Sequence, residues 1–267
     1  MKKEISSLKI LYAGDSPVGG AANYLLAILG SMGAKTKHIP PHQALTPKDL
    51  ETHWDGIIFS DYSASRVAQK LQNQIIQSVN WGTGFLMVGG WASFAGPFGG
   101  WASSPLEEIL PVRCLAKDDR QQFPGGVYMV LKKKHPIFSG ISFKPSPVLC
   151  GLNLVRPKRT AQTLLTARKI RQKKNFLALE SREYPLLVID ANPQKRVAVF
   201  TTDLAPHWCG GLVDWGTSHL RLSVQKGIRV EVGDLYVQFT ASLIRWIAGA
   251  KEAGSGSSMR SFLPVTG

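Results

Sequence analysis

Four polar stretches follow short apolar runs in this chain, and they hold most of the residues able to do chemistry. They are Gly14-Asp15-Ser16, Ser60-Asp61, Gly90-Trp91, and the segment from Thr201 to Trp208. In the last of these, His207 is a histidine with an acid close by and an apolar run leading into it. A histidine there acts as a general base when a carboxylate fixes its tautomer, and Asp203 is placed to do so. Alone, such a histidine is more often a surface or packing residue. The three other polar ends give the functional reading its weight. Asp203 and His207 are therefore the candidate catalytic pair, and Asp15, Ser16, Asp61, Gly90, Trp91 and Trp208 are candidate ligand-binding residues. Tryptophan beside carboxylates and hydroxyls is what a carbohydrate cleft uses, through ring stacking plus hydrogen bonds.

A nucleophile is harder to find. Gly90-Trp91-Ala92-Ser93 puts tryptophan where a strand-to-helix nucleophile turn carries Ser or Cys, and Ser93 comes two residues late. Cys209 lies two residues from His207, but Gly210-Gly211 after it predict a loop. Cys114 and Cys150 read as small buried apolar residues. His207, Cys209, Asp214 and His219 match no established ligand spacing, so no metal is expected. Gly19-Gly20 lacks the G-x-G-x-x-G pattern, and no cofactor is expected. A helix predicted to start at Ser103-Ser104-Pro105 would place Glu107 and Glu108 in its first turn, compensating the helix dipole.

The elements that must position these groups alternate in type. Apolar runs predict strands over Leu8–Ala13, Gly56–Asp61 and Phe85–Val88, and Lys35–Ile39 reads as a short second strand. Helices are predicted over Ala21–Ser31 and Ser65–Asn80, the latter with Val67, Leu71, Ile75 and Val79 on one face. Strand and helix in this rhythm mean a parallel sheet with right-handed crossovers, whose ligands bind outside the strands' carboxyl ends. After Pro111 the rhythm changes. Short strands over Val112–Leu115, Val127–Leu131, Val148–Val155 and Thr163–Ala167 predict a β-rich insertion at about 112–180, or a few antiparallel edge strands. Pro185–Asp190 and Arg196–Thr202 form a further strand pair around Asn192-Pro193, and a last helix spans Asp234–Ala248. The fold class is α/β, one domain over residues 1–250, with a flexible Gly/Ser-rich tail or tag over 251–267 ending in LPVTG.

The 267 residues suffice for a proper core. No apolar run approaches a bilayer crossing, three widely spaced cysteines indicate no disulfide framework, and the N-terminus reads as a first strand. A reduced, cytoplasmic setting without membrane partners follows. The net charge of +14 is concentrated: eight Lys or Arg and no acid lie between Arg156 and Lys174, and Lys132-Lys133-Lys134 add three. This predicts basic tips on neighbouring hairpins. No aromatics interleave the cations as a nucleic-acid stacking platform requires, so no specific nucleic-acid partner is expected. The sequence leaves homo-oligomerisation open.

Several of these stretches occur together in an order that carries a resemblance. Leu11-Tyr12-Ala13-Gly14-Asp15-Ser16, Phe59-Ser60-Asp61-Tyr62, Val88-Gly89-Gly90-Trp91-Ala92-Ser93-Phe94, Pro105-Leu106-Glu107-Glu108-Ile109-Leu110-Pro111 and Thr202-Asp203-Leu204-Ala205-Pro206-His207-Trp208 resemble the glutamine amidotransferase-like family. These are bacterial relatives of the class I glutamine amidotransferases and of trehalose-utilisation-type proteins, and the resemblance spans roughly residues 8–248. It implies a flavodoxin-like three-layer sandwich with a mostly parallel central sheet and a nucleophile position after Gly89-Gly90. The working enzymes hold Cys there and a His followed two residues on by an acid. This chain holds Trp91 and, two residues after His207, Cys209. Cysteine-dependent glutamine hydrolysis is therefore not expected. The expected function is binding of a small polar metabolite, carbohydrate being preferred. The alternatives are a hydrolase using Asp203 and His207, and an interaction module using the basic hairpin.

Overall fold

The computed structural model describes residues 8–17, 20–225 and 227–250, so the Gly19 position and the 251–267 tail lie outside the described residues. The first half alternates as its apolar runs dictate: β1 (Lys9–Gly14), α1 (Ala21–Ser31), β2 (Lys35–Ile39), β3 (Gly56–Ser60), α2 (Gln69–Asn80) and β4 (Gly84–Val88). Then come β5 (Val112–Arg113), β6 (Arg120–Leu131), β7 (Val148–Asn153), β8 (Arg156–Pro157), β9 (Ala161–Lys173), β10 (Phe176–Asp190) and β11 (Val197–Phe200). The chain closes with α3 (Pro206–Val213), β12 (His219–Gln225), β13 (Ile228–Gly233) and α4 (Asp234–Ile247).

One nine-stranded sheet organises the molecule, in the order β2-β1-β3-β4-β11-β10-β9-β6-β7. The first five strands are parallel, and each later neighbour is antiparallel to the one before. Seven strands thus point one way, with β6 and β10 opposed. The residues near 112–180 do not form a separate body. β6, β7 and β9 continue the main sheet as antiparallel strands, the second of the two arrangements the sequence allowed, while β5 and β8 pair with each other apart from it.

Alternation along β4 shows why both faces must be covered. Leu86 and Val88 join a core containing Leu25, Ile28 and Leu29 of α1 and Phe239, Leu243 and Ile244 of α4. Phe85 and Met87 join a second core with Leu71, Ile75 and Val79 of α2 and the buried Trp101. This is the three-layer α/β sandwich expected of strands buried on both sides. No described helix is long and apolar enough to cross a membrane.

Several local expectations change. The predicted helix at Ser103–Pro105 is only a 3₁₀ turn, Pro105–Glu108, with Ser104 Oγ accepting from Glu107 N. Glu107 is buried there and accepts from the amides of Ser103 and Cys114, both at 2.7 Å, so it braces the loop rather than offsetting a helix dipole. The helix predicted from Ser65 begins at Gln69, because Val67 is extended and separates it from a 3₁₀ turn at Ala64–Arg66. The stretch around Cys209 predicted as a loop lies in α3, opened by Pro206 in its first turn and kinked at Cys209, whose backbone is non-helical (φ −125°, ψ 33°). Cys209 is the buried cysteine and Cys150 is exposed, reversing one part of the cysteine reading. The β12–β13 hairpin was not predicted, although Leu220, Leu222 and Val224 alternate within it. The basic residues do not gather at hairpin tips: Lys132 lies beside Leu164 and pairs with Glu183, and Lys158 binds the carbonyls of Glu107 and Glu108. Only the stretch Lys169–Lys174 belongs to a hairpin end.

Candidate functional site

The carboxyl ends of β1, β3, β4 and β11 meet at one rim, and each polar end is held there by local backbone chemistry. At β1, Gly14 has φ 113° and a Cβ on it would sit 1.7 Å from Ser60 O, so only glycine fits. Asp15 follows at φ 41°, its amide donating to Ser60 O at 3.0 Å. His38 Nε2 donates to Gly14 O at 2.8 Å, fixing the same turn. The Tyr12 hydroxyl donates to Asp15 Oδ2 at 2.5 Å. Burial first, and then the charge of Asp203, push the Asp15 carboxyl up to about 8. Asp15 is therefore a neutral acid near pH 7, able to donate a hydrogen bond. Ser16 is half-buried and its carbonyl accepts from Ala22 N at 3.1 Å, at the entry to α1.

At β3, Asp61 also takes a left-handed conformation, φ 52°. Its amide donates to Ser93 Oγ at 3.1 Å and its Oδ1 accepts from Ala92 N at 2.5 Å. A Cβ on Gly90 would lie 2.5 Å from that same Oδ1, which is why glycine stands at 90. Burial raises the Asp61 pKa, with Asp203 adding to the rise.

At β4, the turn is clamped by a side chain from the far edge of the sheet. Asn153, at the end of β7, accepts from Gly90 N at 2.9 Å through Oδ1. Its Nδ2 donates to Gly90 O at 3.1 Å and to Asp119 Oδ1 at 2.7 Å. Asp119 Oδ2 in turn accepts from Ala95 N at 2.8 Å. Trp91 is half-exposed, with the Arg120 guanidinium 4.2 Å from its ring centroid and Arg120 forked onto Asp118. Among the described residues, the non-glycine positions with positive φ are Asp15, Asp61, Phe94 and Ser103. Trp91 is not one of them, and turns rather than an α-helix follow it. The strained strand-to-helix turn of a nucleophile site is absent at this position.

At β11, Thr202 is buried and its hydroxyl donates to Gly151 O at 2.8 Å. Asp203 Oδ1 accepts from Ala205 N at 2.8 Å, leaving Oδ2 against His207 Nδ1 at 3.0 Å. A carboxylate oxygen can only accept there, so Nδ1 carries the proton. The side chains are 9% exposed for Asp203 and 68% for His207, a buried anchor under a ring open to solvent. The hydrogen bond to Asp203 raises the His207 pKa despite partial burial, and the charge of Asp203 adds to it.

Asp15, Asp61, Gly90, Trp91, Asp203 and His207 thus share the rim. Trp208 is buried, and a Cβ on Gly151 would meet its ring at 2.6 Å, so it packs against β7. Cys209 is also buried, donates Sγ–H to Ala205 O at 2.8 Å, and burial pushes its thiol well up. It has no thiolate to offer. Sequence reasoning missed Tyr12, Asp119, Arg120 and Asn153. Asn153 carried the signal used elsewhere, a polar residue closing an apolar run, but its strand lies at the distant edge. Among the described residues no group of three or more His, Cys, Asp or Glu is arranged to hold a metal. Two open hollows, about 460 Å³ lined by Thr160, Asp190 and Lys195 and about 480 Å³ lined by His135 and Phe138, lie away from the rim.

Comparison with known proteins bears on the fold and the family. The chain is similar in structure to the cytoplasmic protein STM3548 of Salmonella typhimurium, at 24% identity and TM-score 0.68, covering 90% of this chain and 99% of that one. It is also similar to the cytoplasmic protein STM1381 of Salmonella typhimurium LT2, at 26% identity and TM-score 0.61, covering 75% of this chain and 90% of that one. No curated protein matches it significantly. The GATase1-like family model, described as "Putative glutamine amidotransferase", matches residues 16–225, from the rim turn after β1 to the end of β12, and the chain belongs to that family.

Proposed function

We propose that this chain is a cytoplasmic glutamine amidotransferase-like protein that binds a small polar metabolite, with carbohydrate preferred, at the carboxyl rim of its sheet, without cysteine-dependent glutaminase activity. The observation that carries this reading is the Asp203–His207 pair. A buried carboxylate holds Nδ1–H at 3.0 Å and leaves Nε2 on a ring that is mostly exposed, beside Asp15 and Asp61. Such a rim offers a ligand hydroxyl both donors and acceptors: neutral Asp15, the Asp61 carboxylate and the imidazole. The half-exposed Trp91 ring adds an apolar face for stacking. The buried Cys209 thiol and the tryptophan at position 91 support the loss of thioester chemistry.

The same pair favours one second reading, a hydrolase in which His207 Nε2 takes a proton from water or a substrate hydroxyl while Asp203 stabilises the imidazolium. Thermal-shift and calorimetric titration with a panel of monosaccharides, disaccharides and amino acids tests the binding reading. His207→Gln removes the general base and should abolish the response to any responding compound, with the melting temperature of the free protein nearly unchanged because the ring is exposed. A response that survives in His207→Gln, or ammonia release from glutamine well above the blank, would overturn the reading. Turnover of the bound compound that disappears in His207→Gln would select the hydrolase.

A further inference from the structure

The β9–β10 hairpin runs beyond the strands on either side of it. Toward β6 its last register pair is Lys169 with Val127, and toward β11 the register begins only at Leu187. The rungs from Ile170 with Leu179 to Lys173 with Phe176 therefore form a two-stranded finger, about 10 Å long at roughly 3.3 Å per residue. It rises at the end of the sheet that carries Asp15, Asp61 and His207, because β9 runs in the direction of the parallel strands. Every residue from Arg171 to Leu177 is exposed. Phe176 and Leu177, 60% and 64% exposed, are apolar side chains held in water at the finger's end.

The charge around this end is one-sided. Glu180 is engaged lower down by Arg171 and Lys169, and Glu183 by Lys132. Lys173 and Lys174 have no acidic partner among the described residues, and Lys173 Nζ instead lies 5.5 Å from the Phe176 ring centroid. We propose that this finger docks on an anionic lipid surface, with Phe176 and Leu177 entering the headgroup region and Lys173 and Lys174 on the anionic headgroups. This is a peripheral contact, not a span. Adjacent strand residues point to opposite faces, so a flat protein surface would cover Phe176 or Leu177 but not both. A fluid interface entered end-on takes both at once, while the flanking cations add electrostatic attraction. A nucleic acid would want several stacking rings, and the finger's end has one aromatic residue, leaving Leu177 without a role.

Vesicle co-sedimentation of the full chain tests this. Wild type should pellet with phosphatidylcholine vesicles containing 30% phosphatidylglycerol and stay in the supernatant with phosphatidylcholine alone. At about fivefold per cation near such a surface, Lys173→Gln with Lys174→Gln should weaken binding roughly thirtyfold. Phe176→Ser with Leu177→Ser should weaken it about tenfold or more at unchanged charge. Lys48→Gln with Lys70→Gln, an equal loss of exposed charge on other elements, should leave it within twofold. Circular dichroism checks that the finger variants remain folded, since the altered side chains lie outside both cores. The proposal is overturned if wild type ignores anionic vesicles, or if the control pair loses as much as the finger pair. It is equally overturned if the serine variant binds vesicles like wild type, or if the finger lysines matter only for a DNA or RNA oligonucleotide.

Discussion

Asp15 is a buried acid whose proton is coupled to folding, and Asp15→Asn makes that coupling measurable. In the fold, burial and the neighbouring Asp203 charge hold the group at about 8, against an ordinary value near 3.8. The unfolded chain therefore releases this proton above about pH 4, while the folded chain keeps it until about pH 8. Between those limits the unfolded state binds one proton fewer, so stability falls as pH rises, by at most about 1.4 kcal/mol per pH unit. Asparagine has no proton to lose and its carbonyl oxygen can still accept from Tyr12. Because Asp15 is already neutral below pH 8, the neutral replacement leaves the field on Asp203 and His207 nearly unchanged in that range. Urea unfolding at pH 5, 6 and 7 should show the variant gaining on wild type by about 1.4 kcal/mol at each step, or about 3 kcal/mol over the range. His207 contributes its own decline with rising pH, since its folded pKa is raised, but it does so in both proteins and cancels in the difference. A difference that stays constant with pH would mean Asp15 is ionised in the fold, and the neutral-donor role assigned to it would fail.

Asn153→Ala removes three hydrogen bonds at once and strands Gly90 N and Asp119 Oδ1 in a buried place. Urea unfolding should show a loss of roughly 3–5 kcal/mol, and a loss under 1 kcal/mol would mean the clamp is not needed. Gly151→Ala drives a methyl into the Trp208 ring, where the new Cβ would meet it at 2.6 Å. It should cost about 1–3 kcal/mol, and unchanged stability with altered ligand response would instead make Trp208 a binding residue. Trp91→Cys should yield no ammonia from glutamine above the blank in a coupled assay, and release well above it would show that the turn after β4 still holds a nucleophile productively.

The first half of the fold was legible because its signals are local. β1, β3 and β4 are nearly continuous apolar runs, and α2 carries its apolar residues four apart. The rim was legible for the same reason, since a polar residue directly after an apolar run marks a strand's carboxyl end. What stayed hidden depends on contacts between distant segments. Asn153 matters only because β7 brings it to Gly90, 63 positions away in sequence. Glu107 looked like a helix-dipole residue, and only the approach of the Cys114 amide shows it as a brace. The long arms of β9 and β10 were foreshortened in sequence, because charged residues such as Arg168, Arg171 and Glu180 interrupt the apolar alternation while the backbone ladder continues.

The position after β4 departs from a working amidotransferase by more than one side chain. A nucleophile turn needs a strained residue raised above the sheet, a helix running from it, and free amides facing the developing oxyanion. Here Trp91 is outside the left-handed region, turns follow it, and the next amide, Ala92 N, is already bound to Asp61 Oδ1 at 2.5 Å. The Gly90 amide is likewise taken by Asn153. Both amides at this turn are therefore already engaged, and the groups that engage them, Asp61 and Asn153, shape the rim. On the proposed reading the two features belong together: the amides of Gly90 and Ala92 are bound to Asn153 and Asp61, and so fix the rim beside Asp203 and His207.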